Sequence, residues 1–149
     1  MLMDLDLQGR RVLVTAGTKG IGKAVVHLLK QQGARVLTTA RHEPAESSAD
    51  AFVAADLTTI QGCNLVVDAV QKYLGGVDII IHVAGGSTAP GGGFAALGEE
   101  EWQQELNLNL LPAVRLDRAL LPGMLAQQDG VIIHVTSIQR ELPLPESTS

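Results

Sequence analysis

Aromatic side chains are scarce in this chain. One Trp, one Tyr and two Phe make up 3% of its 149 residues, so a core must be built from Val, Leu, Ile and Ala. That mix suits a parallel sheet covered on both faces better than an aromatic-rich sandwich. Cysteine is nearly missing too: Cys63 stands alone, which excludes an internal disulfide and any multi-cysteine metal site. No apolar run reaches membrane-spanning length. The opening Met1-Leu2-Met3-Asp4-Leu5-Asp6 carries acids where a secretory signal needs bases. Basic residues are outnumbered, 11 against 16 acidic, for a net charge of −5. This argues against a broad nucleic-acid surface and leaves room for a local basic pocket. The expectation is a soluble, cytoplasmic protein with neither nucleic-acid nor membrane partners.

What is present reads as one folded unit over residues 1–149. Hydrophobic residues make up 46% and charged residues 18%, too apolar for a disordered chain. A chain of this length buries about two thirds of its unfolded surface. Two hydrophobic periods alternate along it. Arg11-Val12-Leu13-Val14-Thr15 is a buried-strand pattern; from Ile21, apolar residues recur at Val25, Leu28 and Leu29 at helical spacing, closed by Gly33. Arg35 to Thr39 is a second strand, 41–50 a polar loop, and Ala51 to Ala54 a third strand. Thr58 or Thr59 caps a helix carrying Leu65, Val66, Ala69, Val70 and Leu74, stopped by Gly75-Gly76. Val77 to Val83 is a fourth strand. A glycine-rich loop, Gly85 to Gly93, precedes a helix or helix pair from Glu99 to Leu125, with Pro112 and Pro122 marking a break or kink. Gly130 to Thr136 is a fifth strand, and the tail from Leu142 has no periodicity. Strand–helix alternation with short links predicts right-handed crossovers and a parallel sheet.

The glycines between the first strand and first helix carry the functional signal. In Thr15-Ala16-Gly17-Thr18-Lys19-Gly20-Ile21-Gly22, a helix N-terminus offers free N–H groups and a positive dipole end where an open parallel sheet binds a pyrophosphate. A Cβ at the glycines would block the phosphate or the turn, and Gly22 lets helix and strand approach. A tight structural turn is the alternative for the motif taken by itself.

Together with later positions, this loop resembles the short-chain dehydrogenase/reductase family over essentially the whole chain. The family's Thr-Gly-x-x-x-Gly-x-Gly appears here with Ala16 in place of the first glycine. The resemblance implies a Rossmann-type, doubly wound α/β sheet of about five strands in order 3-2-1-4-5. It implies cofactor contacts from Gly17, Thr18, Lys19, Gly20, Ile21 and Gly22. Asp56-Leu57 matches the family's adenine-ring site, against a plain reading of Asp56 as a strand-end or helix-cap acid. The family's Asn-Asn-Ala-Gly appears as His82-Val83-Ala84-Gly85: Ala84 and Gly85 match, and both asparagines are missing. Asn109 matches the asparagine of the catalytic group, with Asn107 a competitor, and Ser137 matches the catalytic serine.

Cofactor choice follows from charge. In dinucleotide folds an acid after the second strand selects NAD, and an Arg accommodates the 2′-phosphate of NADP. Here Ala40 takes the acid's place and Arg41 follows, with Lys19 a second cation. NADP(H) is therefore expected over NAD(H), against a reading of both cations as solvated loop charges.

The resemblance also implies a tyrosine a dozen or so residues after Ser137 and a lysine four residues later. The sequence ends twelve residues after Ser137, its one tyrosine is Tyr73, read as packing, and no Tyr-x-x-x-Lys occurs. The expectation is the N-terminal, truncated part of a longer reductase acting on a small carbonyl or alcohol, inactive in this form. The fifth strand is then an exposed edge open to homo-oligomeric association. A non-catalytic dinucleotide-binding or regulatory module ending near Ser149 is the second reading, and a ligand-free structural piece the third. His82 and His134, ending neighbouring strands without a matched carboxylate, read as hydrogen-bonded sheet-end residues, a metal pair being the alternative; no metal is assigned. Cys63 reads as an ordinary thiol, and Gly91-Gly92-Gly93 as a loop on the substrate side.

Overall fold

The computed structural model describes residues 5–138 and 141; the non-periodic tail 142–149 lies outside them. Its strands are β1 (Arg11–Thr15), β2 (Arg35–Ala40), β3 (Ala51–Ala54), β4 (Ile79–His82) and β5 (Val131–His134). Its α-helices are α1 (Gly20–Gln31), α2 (Ile60–Ala69), α3 (Glu99–Asn109) and α4 (Leu111–Ala126). The strands form one sheet in the order β3-β2-β1-β4-β5, every pair parallel. This is the doubly wound arrangement expected from the sequence.

Strand alternation explains the two layers of core. Leu13, Leu37 and Ile80 point to one face and meet Val66 and Val70 of the α2 segment and Leu116, Leu120 and Met124 of α4. Val12, Val14, Val36, Ile79 and Ile81 point to the other and meet Val26 and Leu29 of α1. With both faces covered, the middle of each central strand is apolar, Val12–Val14 in β1 and Ile79–Ile81 in β4. No helix among the described residues is long and apolar enough to cross a membrane.

Several local expectations are corrected. The buried line of α1 is Gly22, Val26 and Leu29, whereas Ile21 and Leu28 face outward. Of the expected Ile21, Val25, Leu28 and Leu29, Leu29 is buried and Val25 packs partly against the core, while Gly22 sits close on the Ala16 carbonyl. The α2 segment ends in a π-helical turn, Val70–Leu74, closed by Gly75 at φ 71°, and Leu65 stays exposed. Tyr73 is also exposed, with the Lys72 ammonium 4.9 Å from its ring centroid, so it does not pack in the core. A short 3₁₀ turn, Phe94–Ala96, follows the glycine-rich loop and sets Phe94 against Trp102. The helix pair breaks at Leu110, just before Pro112, while α4 runs on through Pro122. Arg118 and Pro122 are both exposed, on the solvent side of the helix, where a carbonyl that a proline ring leaves unpaired is open to water.

One ion pair ties the sheet's amino end together. Asp78, just before β4, accepts from the Arg11 backbone N–H at 2.8 Å and from its guanidinium at 2.7 and 3.1 Å. Those bonds fix where β4 begins: Val77 and Asp78 fall outside the strand, which is shorter than predicted. Arg11 holds the Asp78 carboxyl below its ordinary value, chiefly through the side-chain hydrogen bond. Unfolded Asp78 takes up a proton more readily, so the pair's contribution is complete above the ordinary carboxylate value and is lost as pH falls through the lowered one. Asp78→Asn is therefore expected to lower stability at neutral pH by about 2 kcal/mol. Denaturant titrations should show the gap to the parent chain narrowing as pH drops below about 4.

Candidate functional site

The carboxyl ends of β1 and β4 diverge where the sheet order reverses, and a crevice opens there. Thr15 closes its floor: its buried Oγ1 accepts from the backbone N–H groups of Val83 and Ala84, both at 3.0 Å. The chain after Thr15 then turns sharply into α1. Ala16 sits at φ 53°, in the left-handed region that favours glycine. Gly17 must be glycine for another reason, since a Cβ there would lie 2.0 Å from Thr38 Oγ1.

The N-cap residue of α1, Lys19, is in extended conformation and supplies no side-chain cap. In α2, by contrast, Thr59 Oγ1 accepts from the Gly62 N–H at 3.0 Å. The first-turn N–H groups of α1 therefore lack the usual internal acceptor. Thr18 is partly covered, Lys19 and Gly20 are exposed, and the space beside Gly20 is open. Ile21 leaves 62% of its surface exposed at the same mouth. A groove of about 590 Å³ runs from Gly20 along Lys23, Ala24 and His27 to 46–48 on the outer side of α1.

Arg41 follows β2 on the same carboxyl-end rim and is exposed. Asp56 spends its carboxylate locally: Oδ1 accepts from the Thr58 N–H at 3.0 Å and hydroxyl at 2.8 Å. Those bonds hold its carboxyl below the ordinary value and close a turn just ahead of α2, whose cap is Thr59. Leu57 packs partly into the core.

Across the crevice, the two candidate asparagines separate cleanly. Asn109 Oδ1 accepts from the Gly86 N–H at 2.9 Å, and its Nδ2 donates to the Gly86 carbonyl at 2.8 Å. Asn107 instead accepts from Arg115, away from the loop. Gly85 sits against Asn109, a Cβ there falling 3.0 Å from its Oδ1, while Ala84 is held on Thr15. Ser137 lies exposed three residues beyond the end of β5. The carboxyl rim thus gathers Gly17–Gly22, Arg41, Ala84–Gly85, Asn109 and Ser137, with Asp56 committed to its own turn.

Sequence reasoning missed Glu105. It is 5% exposed; its Oε1 accepts from the Thr88 N–H at 3.0 Å, and Asn109 Nδ2 approaches its Oε2 at 3.3 Å. The signal was available, since Glu105 precedes Asn109 by one helical turn and so shares its face. Asp117 was missed as well. It accepts from His82 Nε2 at 2.7 Å, supplying a carboxylate that the sequence reading did not match to the histidines. Burial holds His82 below the ordinary histidine value against the pull of Asp117. Burial also pushes the Cys63 thiol up, the setting of an unreactive cysteine.

The left-handed Ala16 yields a direct test. Ala16→Gly removes a Cβ penalty of about 1 kcal/mol, and chemical denaturation should show the variant more stable by up to that amount. A destabilised variant would contradict the strain at this position.

Residues 10–149 match the short chain dehydrogenase family. A 3-oxoacyl-[acyl-carrier-protein] reductase of Vibrio cholerae is 33% identical over 141 residues, spanning 90% of this chain and 57% of that protein. An uncharacterized oxidoreductase of Bacillus subtilis is 34% identical over 152 residues, spanning 96% and 57%. Among solved structures, L-sorbose reductase from Gluconobacter frateurii, complexed with NADPH and L-sorbose, superposes with a TM-score of 0.87 at 31% identity, over 97% of this chain and 59% of that one. An NADH-dependent reductase complexed with NAD gives 0.81 at 27% identity, over 93% and 64%. The chain thus spans little more than half the length of the curated relatives it matches. With this match over nearly its whole length and the sheet order of a doubly wound fold, the chain belongs to the short-chain dehydrogenase family of oxidoreductases.

Proposed function

We propose that this chain is the single dinucleotide-binding unit of an NADP(H)-dependent short-chain oxidoreductase acting on a small carbonyl or alcohol. One observation carries the cofactor reading: the rim after β2 presents Ala40 and exposed Arg41 in place of an acid, opposite an α1 N-terminus whose N-cap side chain makes no cap bond. A guanidinium pairs with a 2′-phosphate through two parallel hydrogen bonds, and Lys19 adds charge. The relatives allow both choices, one solved with NADPH and another with NAD. The local charge favours the phosphorylated form.

The residues fit such a ligand. Backbone N–H groups of Gly20, Ile21 and Gly22 would take the pyrophosphate, helped by the dipole of α1. Gly17 and Gly22 keep the turn tight, and Gly85 lets the β4 rim approach the ribose. Leu57, beside the Asp56 turn, would flank the adenine. A bound nicotinamide supplies the hydride chemistry. Ser137 would orient the reacting oxygen by hydrogen bonding, and Asn109 holds the Gly86 backbone beside it. The family's proton-transferring tyrosine and its lysine have no counterpart in this sequence, so the chain by itself is expected to bind cofactor without turnover. The β5 edge, where Val131 and Ile133 are each 44% exposed, supports association of the chain through this surface. A cytoplasmic setting is part of this reading, and the excess of 16 acidic over 11 basic residues accords with it.

Fluorescence titration should give a lower dissociation constant for NADPH than for NADH. Arg41→Ala is expected to weaken NADPH by about tenfold, or 1.4 kcal/mol, and to leave NADH nearly unchanged. Tighter binding of NADH by the parent chain would overturn the assignment. In the same preparation, NADPH-dependent reduction of any carbonyl by this chain without a complementing segment would overturn the inactive reading.

A further inference from the structure

Two histidines and an aspartate that the cofactor reading leaves unused meet at the carboxyl end of the sheet. His82 ends β4 and His134 ends β5, and the two are register partners across this parallel pair. Their side chains therefore leave the sheet on the same face. The rings stack, with centroids 4.7 Å apart and planes 17° apart. Helix α4 crosses that face, anchored by buried Leu116 and Leu120. Asp117, next to Leu116, sets one carboxylate oxygen toward each ring: Oδ1 lies 2.7 Å from His82 Nε2 and Oδ2 3.7 Å from His134 Nε2. One ligand atom from each of the three residues falls within 4.8 Å of the others.

We propose that His82, Asp117 and His134 form a site for a divalent transition-metal ion of the zinc class, with a fourth position open to water or another oxygen ligand. Hydrogen bonding explains only half of the arrangement. The His82 contact is a good hydrogen bond, but 3.7 Å is too long for one, so His134 faces the carboxylate without engaging it. An ion engages both rings. Zinc bonds of about 2.0–2.2 Å to nitrogen and oxygen place tetrahedral donor atoms about 3.3 Å apart. The separations of 2.7 and 3.7 Å run to the two different carboxylate oxygens, and one donor atom from each residue lies within 4.8 Å of the others. Seating the ion therefore takes side-chain rotations that draw these atoms together and tilt the stacked rings toward it.

The donor set selects the metal class. Two imidazoles and one carboxylate suit zinc and its neighbours, whereas calcium and magnesium want oxygen cages. Among the described residues, Asp117 forms ion pairs only with these histidines, so its charge is available to a cation. His82 is 7% exposed and His134 50%, which leaves the open position on the solvent side. Each ligand stands on a strand end or a packed helix, and such supports hold a site near its bound geometry. The site shares no residue with the glycine loop, and it would stand if cofactor binding failed.

The 149-residue chain, stripped with a chelator, is titrated with Zn²⁺ in competition with a chromophoric chelator. Uptake of one equivalent is expected, and Co²⁺ in its place should give the visible d–d bands of a four-coordinate site. His134→Ala changes a half-exposed side chain and Asp117→Asn keeps the shape, so both should fold, as circular dichroism will show. Each is expected to weaken Zn²⁺ by at least about tenfold. The double variant His27→Ala/His42→Ala removes the other two histidines and should bind as the parent does. Absence of saturable uptake by the folded parent chain overturns the proposal, leaving a hydrogen-bonded strut. Undiminished affinity in His134→Ala, or loss of binding in the double variant, overturns it as well.

Discussion

The hydroxyl of Thr15 holds the seam on which the candidate site depends. By accepting from the N–H groups of both Val83 and Ala84, it pins the ends of β1 and β4 together just before their chains part. Parallel strands that diverge to opposite sides of a sheet leave a crevice, and nothing in the strand ladder fixes its width. Thr15 supplies that constraint with a side chain only 1% exposed, where competing water is excluded. Both rims inherit their positions from it. The glycine turn begins one residue later, and the Ala84–Gly85 segment continues directly from the bonded amides. Because both amides bond to one atom, a shift of either rim disturbs the other.

Much of this was legible before any coordinates. The five strands, their parallel pairing and a cap at Thr58 or Thr59 follow from period, cap chemistry and the crossover rule. The strand order follows from the family resemblance, and Thr59 is the residue that caps. The face of α1 was read only in part: Leu29 is buried and Val25 packs against the core, whereas the apolar Ile21 and Leu28 are exposed. Periodicity counts apolar residues without knowing which are needed outside. The π-helical turn at Val70–Leu74 has no turn residue until Gly75, so helical spacing gave no warning of it. Asn109 could be separated from Asn107 only when the loop at Gly86 and the guanidinium of Arg115 were placed, because both contacts are long-range.

The glycine turn shows a local rule broken at the site and met everywhere around it. Ala16 accepts a left-handed backbone that glycine would adopt freely, while Gly17 and Gly22 cannot gain a Cβ without striking Thr38 Oγ1 or the Ala16 carbonyl. The turn is thus over-determined by its neighbours, which is how a strained residue persists. An uncapped helix start beside it continues the pattern, since a cap would improve stability and fill the space a ligand needs. Stability is held instead at the opposite end of the sheet, where Arg11 and Asp78 have no part in the crevice.

The same logic explains what replaces the missing asparagines. Where the family carries Asn-Asn, this chain has His82 and Val83, and the polar bracing passes to other elements. Val83 needs no side-chain amide because its backbone already bonds to Thr15. The loop beyond Gly85 is held from α3, by the two-way bond of Asn109 to Gly86 and by buried Glu105 on Thr88. His82 turns the other way and ties the strand end to Asp117 on α4. A neutral asparagine pair has thus given way to a histidine–carboxylate contact with a second histidine stacked beside it. An amide would brace the strand equally well with two uncharged bonds, so bracing does not by itself account for imidazoles converging on a carboxylate. Two imidazoles and one anion, held by three separate elements, have the composition of a cation site, and that excess of donor chemistry over mechanical need distinguishes this corner of the sheet.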